Sequence, residues 1–285
     1  MFPERLEFHV APWIQSGLTW LVQHGGGFFH AVSVVVTRAL VAIEAALLAV
    51  PWWLWLLGVA LAAWLLTRRP LTALALSGLM LAVGVFGYWE AAIETLAMVI
   101  VAVALAVAIG IPLGIAMAES DRIHALMVPV LDAMQTMPSF VYLIPVMMLF
   151  QALGPVPGTL ATVIYALPPV ARLVDLGIRQ VPGEVQEAAR AFGATRWQLL
   201  GQVRLPLALP AIMAGVNQTT MMALAMVVIA SMVGAGGVGE AVIRAIQRVE
   251  PGAGFEAGFT IVALAIIMDR LSQGLARRWQ VPRTG

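Results

Sequence analysis

Long apolar runs separated by short polar breaks give the chain its first reading. A helix that crosses a bilayer needs about 20 mostly apolar residues, and irregular backbone cannot face lipid. On that basis the spans lie at 52–66, 71–88, 93–118, 127–153, 159–176, 208–233 and 258–275, seven in all. Residues 28–50 are apolar too, but their pattern differs. His30, Ser33, Thr37 and Glu44 recur at helical spacing on one face, with Arg38 beside it. Such a stripe suits an amphipathic helix lying in the membrane interface. An eighth span with its polar face turned inward is the alternative.

Composition agrees with a polytopic, all-α membrane protein. Of 285 residues, 61% are hydrophobic and 11% charged, whereas soluble domains carry about 25% charged residues. A net charge of +1 supplies no basic field for nucleic acid. Lys is absent and Arg takes its place throughout, which reads as base composition rather than mechanism. Without cysteine there is no disulfide or thiolate site. His9, His24, His30 and His124 form no pair at ligand spacing, so no metal site is expected. Glu4 and Glu7 stand where a signal peptide would be basic, and Pro12 interrupts the apolar stretch after them, so none is expected. The tails outside the apolar runs are too short to fold alone.

Arginines orient the spans. Arg68, Arg69, Arg122, Arg179, Arg190, Arg196, Arg204, Arg277, Arg278 and Arg283 fall on alternate connections, all on one side. That side is read as cytoplasmic. The other side holds Arg244 and Arg248, offset by Glu240, Glu250 and Glu256. The N-terminus is then outside and the C-terminus inside.

One polar break, residues 187–206, reads EAARAFGATRWQLLGQVRLP. Upstream, Pro182 can open a helix at its first position, and Glu184 and Glu187 suit the positive end of the helix dipole. Ala188, Ala189 and Ala191 make a small-residue surface for close approach. Gly193 can take the left-handed conformation that ends a helix. Thr195 with Gln198 resembles a capping box opening a second helix, and Pro206 and Pro210 punctuate the return to the membrane. The product is a rigid helix–turn–helix projecting from the membrane face.

The order EAA, Gly193, then Val203, Leu205 and Pro206 resembles the signature loop of bacterial ABC-importer permeases. From about 94 to 270 the chain is similar to the permease subunits of glycine betaine/proline importers. The similarity rests on LDAMQTMPSFVYLIPVMMLF (131–150), YALPPVARLVDLGIRQVP (165–182), PAIMAGVNQTTMMALAMVVIASMV (210–233) and LAIIMDRLSQ (264–273). Up to residue 88 only the layout matches.

The resemblance implies a type I importer permease fold in the bacterial inner membrane. Residues 1–50 would be an external tail and interfacial helix, 51–90 two accessory spans, 91–276 the core with its coupling loop near 179–206, and 277–285 a cytoplasmic tail. It implies a second copy of the chain, two cytoplasmic ATPases holding ATP and Mg, and an external binding protein for an osmolyte such as glycine betaine, choline, carnitine or proline. Glu184, Glu187, Ala188, Ala189, Gly193, Leu205 and Pro206 would couple to the ATPase. Independently, no GxxxxGK[ST] phosphate loop occurs, so this chain is expected to need no cofactor and to catalyse no reaction. A single EAA loop favours a symmetric dimer.

Other features carry weaker readings. Gly234–Gly239 satisfies GxGxxG, but without a βαβ setting it reads as a flexible external loop near the pathway mouth. Asp132, Asp175 and Asp269 lie near span ends; Arg172 is spaced to pair with Asp175, and Asp132 with Gln135 is a candidate gate. Gln135, Ser139, Asn217, Gln218, Thr219 and Thr220 either line a path or hydrogen-bond between helices, with Met221, Met222 and Met226 as packing. Trp52, Trp53, Trp55, Trp64 and Trp89 read as membrane-interface anchors. Tyr142 and Tyr165 are not taken as a cation cage. The rival readings are a permease for another solute such as methionine, an ion-coupled secondary transporter, which would show midplane carboxylates or a clear repeat, and a membrane enzyme, which would show a nucleophile–base pair.

Overall fold

The computed structural model describes residues 10–278, so residues 1–9 and 279–285, with Glu4, Glu7, His9 and Arg283 among them, lie outside the described residues. The chain opens with α1 (Ala11–Leu48), α2 (Trp52–Thr67), α3 (Pro70–Val85) and α4 (Trp89–Glu119). Next come α5 (Asp121–Thr136), a 3-10 turn (Ser139–Tyr142), α6 (Leu143–Phe150) and α7 (Pro155–Arg179). After these stand α8 (Gly183–Ala191), α9 (Arg196–Gln198), a π turn (Leu199–Arg204) and α10 (Leu205–Ala230). A 3-10 turn (Ser231–Val233), α11 (Gly237–Arg248) and α12 (Pro251–Arg278) complete it, with no strand among the described residues.

Each expected run is largely helical. Five helical stretches are long and apolar enough to cross a membrane: Ala11–Leu48, Trp89–Glu119, Pro155–Arg179, the joined run Arg196–Val233, and Pro251–Leu275. α2 and α3 have 16 residues each and rise only about 24 Å, short of about 30 Å of hydrocarbon. Their turn is sharp because Arg68 is left-handed (φ 56°) and Pro70 starts α3 at once.

Two elements differ from the sequence reading. The run 127–153 is not one straight span, since α5 and the Ser139–Phe150 segment meet at 110°. Pro138 has no N–H for the Met134 carbonyl, and Met137 before it is extended. The Tyr142 hydroxyl donates to that carbonyl instead. The N-terminal helix also starts earlier than 28, running unbroken from Ala11 through Gly25, Gly26 and Gly27. Three glycines cost about 1 kcal/mol each in a helix. Unpaired backbone groups in apolar surroundings cost several each, so the helix persists.

The centre is α4, α7 and α10. A Cβ on Gly114 would come within 2.5 Å of the Ala171 carbonyl oxygen, and one on Gly177 within 2.7 Å of Ala211 Cβ. The helices therefore meet almost backbone to backbone, the contact that small residues permit in membranes. Val170, Ala171 and Val174 are fully buried at this seam. One end of the bundle carries α8, the other α11. At the α11 end, Phe29 of α1 meets Phe150 edge-on at 5.4 Å. Glu44, further along α1, lines a small cavity with Glu94, Pro155 and Val156 at that same end.

Candidate functional site

Local chemistry builds the polar loop much as its residues suggest. Pro182, extended at φ −55° and ψ 136°, caps α8 rather than opening it, so Gly183 is the first helical residue. Glu184 sits in the first turn and Arg190 in the last. The helix ends where Gly193 turns left-handed (φ 83°), with Ala194 N–H donating to the Ala189 carbonyl at 3.1 Å. Thr195 and Gln198 form a reciprocal capping box, Thr195 N–H donating to Gln198 Oε1 at 2.8 Å and Gln198 N–H to Thr195 Oγ1 at 3.4 Å. Leu205 and Pro206 then begin α10, directly after the π turn. Pro206 cannot donate to Gln202, and its ring crowds that carbonyl; the helix takes the wider turn just upstream.

What distinguishes this loop is its exposure. No residue of α8 is buried, and Phe192 and Trp197 beside it are 94% and 78% exposed. Glu184, Glu187 and Ala188 are open, and Ala189 is half-buried. Large apolar side chains standing free beside a charged helix mark a surface for another protein.

Behind that open face the loop is tied down by charge. Glu119, the last residue of α4, pairs with Arg204 and, at 2.9 Å, with Arg196. Arg179 reaches Asp175 at 2.8 Å, Asp121 at 2.7 Å and the Met117 carbonyl at 2.6 Å. His124 Nδ1 meets the other Asp175 oxygen at 2.8 Å. The expected Arg172–Asp175 pair does not form. Asp175, 7% exposed, is already held by Arg179 and His124, while Arg172 pairs with Asp132 of α5. Glu119 and His124 escape sequence reasoning; a carboxylate at a helix C-terminus, where the dipole disfavours it, is the available signal for Glu119.

The six candidate path residues have different surroundings. Asn217 accepts a hydrogen bond from Ser272 of α12. Gln218 is exposed, as is Gln135, while Ser139 is half-buried at the head of the 3-10 turn. Thr219 and Thr220 are buried; Thr220 donates to the Val216 carbonyl at 2.8 Å, whereas Thr219 Oγ1 has no partner. Tyr142 and Tyr165 rings lie 6.2 Å apart, and Trp52, Trp53 and Trp64 are exposed on α2.

At the opposite end, the segment 234–239 is not a flexible loop. Ala235 to Gly239 are buried. Gly237 N–H donates to Glu94 Oε2 at 2.7 Å and Val238 N–H to Thr95 Oγ1 at 2.9 Å, so α4 caps α11. The Ser231 hydroxyl donates to the Gly236 carbonyl at 2.8 Å. Gly236 holds φ 89°, and a Cβ there would overlap the Glu94 carboxylate.

The family of binding-protein-dependent transport system inner membrane components matches residues 110–281, the core and its loop. The chain belongs to this family. This permease is 47% identical over 265 residues to the glycine betaine/proline betaine transport system permease protein ProW of Escherichia coli, covering 93% of this chain and 74% of that one. It is 40% identical over 266 residues to the glycine betaine transport system permease protein OpuAB of Bacillus subtilis, covering 93% and 94%. With the glycine betaine/carnitine transport permease protein GbuB of Listeria monocytogenes it shares 42% over 273 residues, covering 94% and 96%. Among solved structures, the permease superposes on an inward-facing MetNI methionine ABC transporter with TM-score 0.61 at 21% identity, covering 66% of this chain and 93% of that one. That likeness extends to the fold.

Proposed function

We propose that the permease carries glycine betaine or a related quaternary-amine osmolyte into the cell as the membrane subunit of an ABC importer. The observation that carries this is the exposed α8 with Phe192 and Trp197 beside it, in a chain 40–47% identical to betaine permeases. α8 seats in a groove on a cytoplasmic ATPase, which holds ATP and Mg. Two copies of the chain supply two such helices, one for each ATPase, and an external protein delivers the osmolyte. ATP binding draws the ATPases together, α8 carries that motion into the spans, and the path opens outward; after hydrolysis it opens inward.

Glu184, Glu187, Ala188, Ala189 and Gly193 form the docking surface, with Leu205 and Pro206 joining it to the membrane. The α8 end is cytoplasmic and the α11 end external. Phe29 meets Phe150 and Glu44 lines the small cavity, both at the α11 end, which supports α1 lying across that face with the N-terminus outside. The test is ATP hydrolysis by the complete complex in liposomes, with its binding protein and a panel of glycine betaine, choline, carnitine, proline and methionine. Stimulation by a quaternary amine is the expected outcome. Stimulation by methionine alone would overturn the cargo and leave the family intact.

A further inference from the structure

We infer that Glu119 is the positioning residue through which the coupling loop moves α4. The inference rests on the proposed docking of α8 to an ATPase. Glu119 ends α4, where the helix dipole opposes its charge, and its two oxygens are divided between two arginines of the loop. Oε2 accepts from Arg196 Nε at 3.0 Å, while Oε1 accepts from Arg204 Nη1. Arg196 opens α9 and Arg204 closes the π turn, so one carboxylate grips the loop's second arm at both of its ends.

The Glu119–Arg204 pair is largely withheld from water, with side chains 17% and 14% exposed. Arg204 Nε is buried without a partner, leaving Glu119 as the only ion-pair partner of Arg204 among the described residues. A pair of this kind follows its partner rather than exchanging it for solvent. At its far end α4 caps α11 through Glu94 and Thr95. Its 31 residues make a strut about 46 Å long. A pull on Glu119 is therefore delivered to α11 at the other face of the bundle, along a contiguous chain of physical contacts.

The experiment uses the complete transporter in liposomes and reads ATPase co-purification, uptake and uptake per ATP hydrolysed. Glu119→Gln should keep its ATPase yet lower uptake per ATP roughly 10-fold. Arg204→Gln should lower it too, and the double variant Glu119→Gln with Arg204→Gln should be no worse than the poorer single one. Uptake per ATP within about twofold of the parent would overturn the inference. So would a double variant whose loss is the sum of the two single losses, or loss of the ATPase from Glu119→Gln, which would make the residue part of the docking surface. Glu187→Arg on α8 tests the underlying reading separately: if that variant retains its ATPase and transports normally, the docking assignment fails whatever Glu119 does.

Discussion

The two ends of the bundle are fastened by different chemistry. At the α8 end, charged side chains pair: Glu119 with Arg196 and Arg204, Asp175 with His124 of α5 and, within α7, with Arg179, and Asp132 with Arg172. At the α11 end, Glu94 and Thr95 of α4 accept from backbone N–H groups, and a left-handed glycine leaves no room for a Cβ. Ion pairs between long side chains can swing and stay paired through several ångströms of motion. A capped glycine turn holds one geometry. On the proposed docking, the end that meets a moving partner is built to travel, and the opposite end to keep its shape.

The contrast can be broken experimentally, beginning where the effect is largest. Asp175→Ala removes the buried carboxylate that Arg179 and His124 share; both partners reach water and Arg179 keeps Asp121, so the loss is about 2 kcal/mol. Thermal unfolding in detergent should register the loss; an unchanged midpoint would show that Asp175 contributes nothing to the α8 end. Gly236→Ala forces a Cβ against Glu94 at a backbone angle open only to glycine, a strain of about 2 kcal/mol. It should lower the same midpoint and speed hydrogen exchange at Gly237 and Val238. Protection equal to the parent would mean the turn is not locked.

Phe192→Ala removes a side chain that touches almost nothing in the permease, so unfolding should not change. Affinity for the ATPase should fall by about 2 kcal/mol, as for an aromatic interface anchor; full affinity would exclude Phe192 from the interface. The gentlest test concerns α1. The chain has no cysteine, so single cysteines at Gly17 and Val50 can be labelled alone in intact cells. Both should react with an impermeant external reagent. Protection of the Gly17 position alone would turn α1 into a span and move the N-terminus inside.

Local features are the ones legible in the sequence. Gly193, the Thr195–Gln198 box and the apolar runs each act within a few residues of themselves, so their patterns determine their geometry. Partnerships across the fold stay hidden. Arg172 is one turn from Asp175, yet it pairs with Asp132, forty positions away in the chain, because Arg179 and His124 already occupy the nearer carboxylate. Glu119 looks like an ordinary polar residue at a span end. Pro138 is visible, but the apolar run continues through it, and hydropathy does not report direction. Glycines alone suggest a mobile GxGxxG turn, whereas packing against Glu94 and Thr95 requires them.

The π turn at Leu199–Arg204 sets a phase. Regular helix advances about 100° per residue, and a π turn is that helix carrying an extra residue. Removing one residue between 199 and 204 would restore regularity and rotate everything before it by about a quarter-turn relative to α10. Arg196 would then face away from Glu119, and the exposed aromatic of Trp197 would point in a new direction. Length in this segment therefore matters more than letter: substitutions there should be borne far better than single-residue deletions.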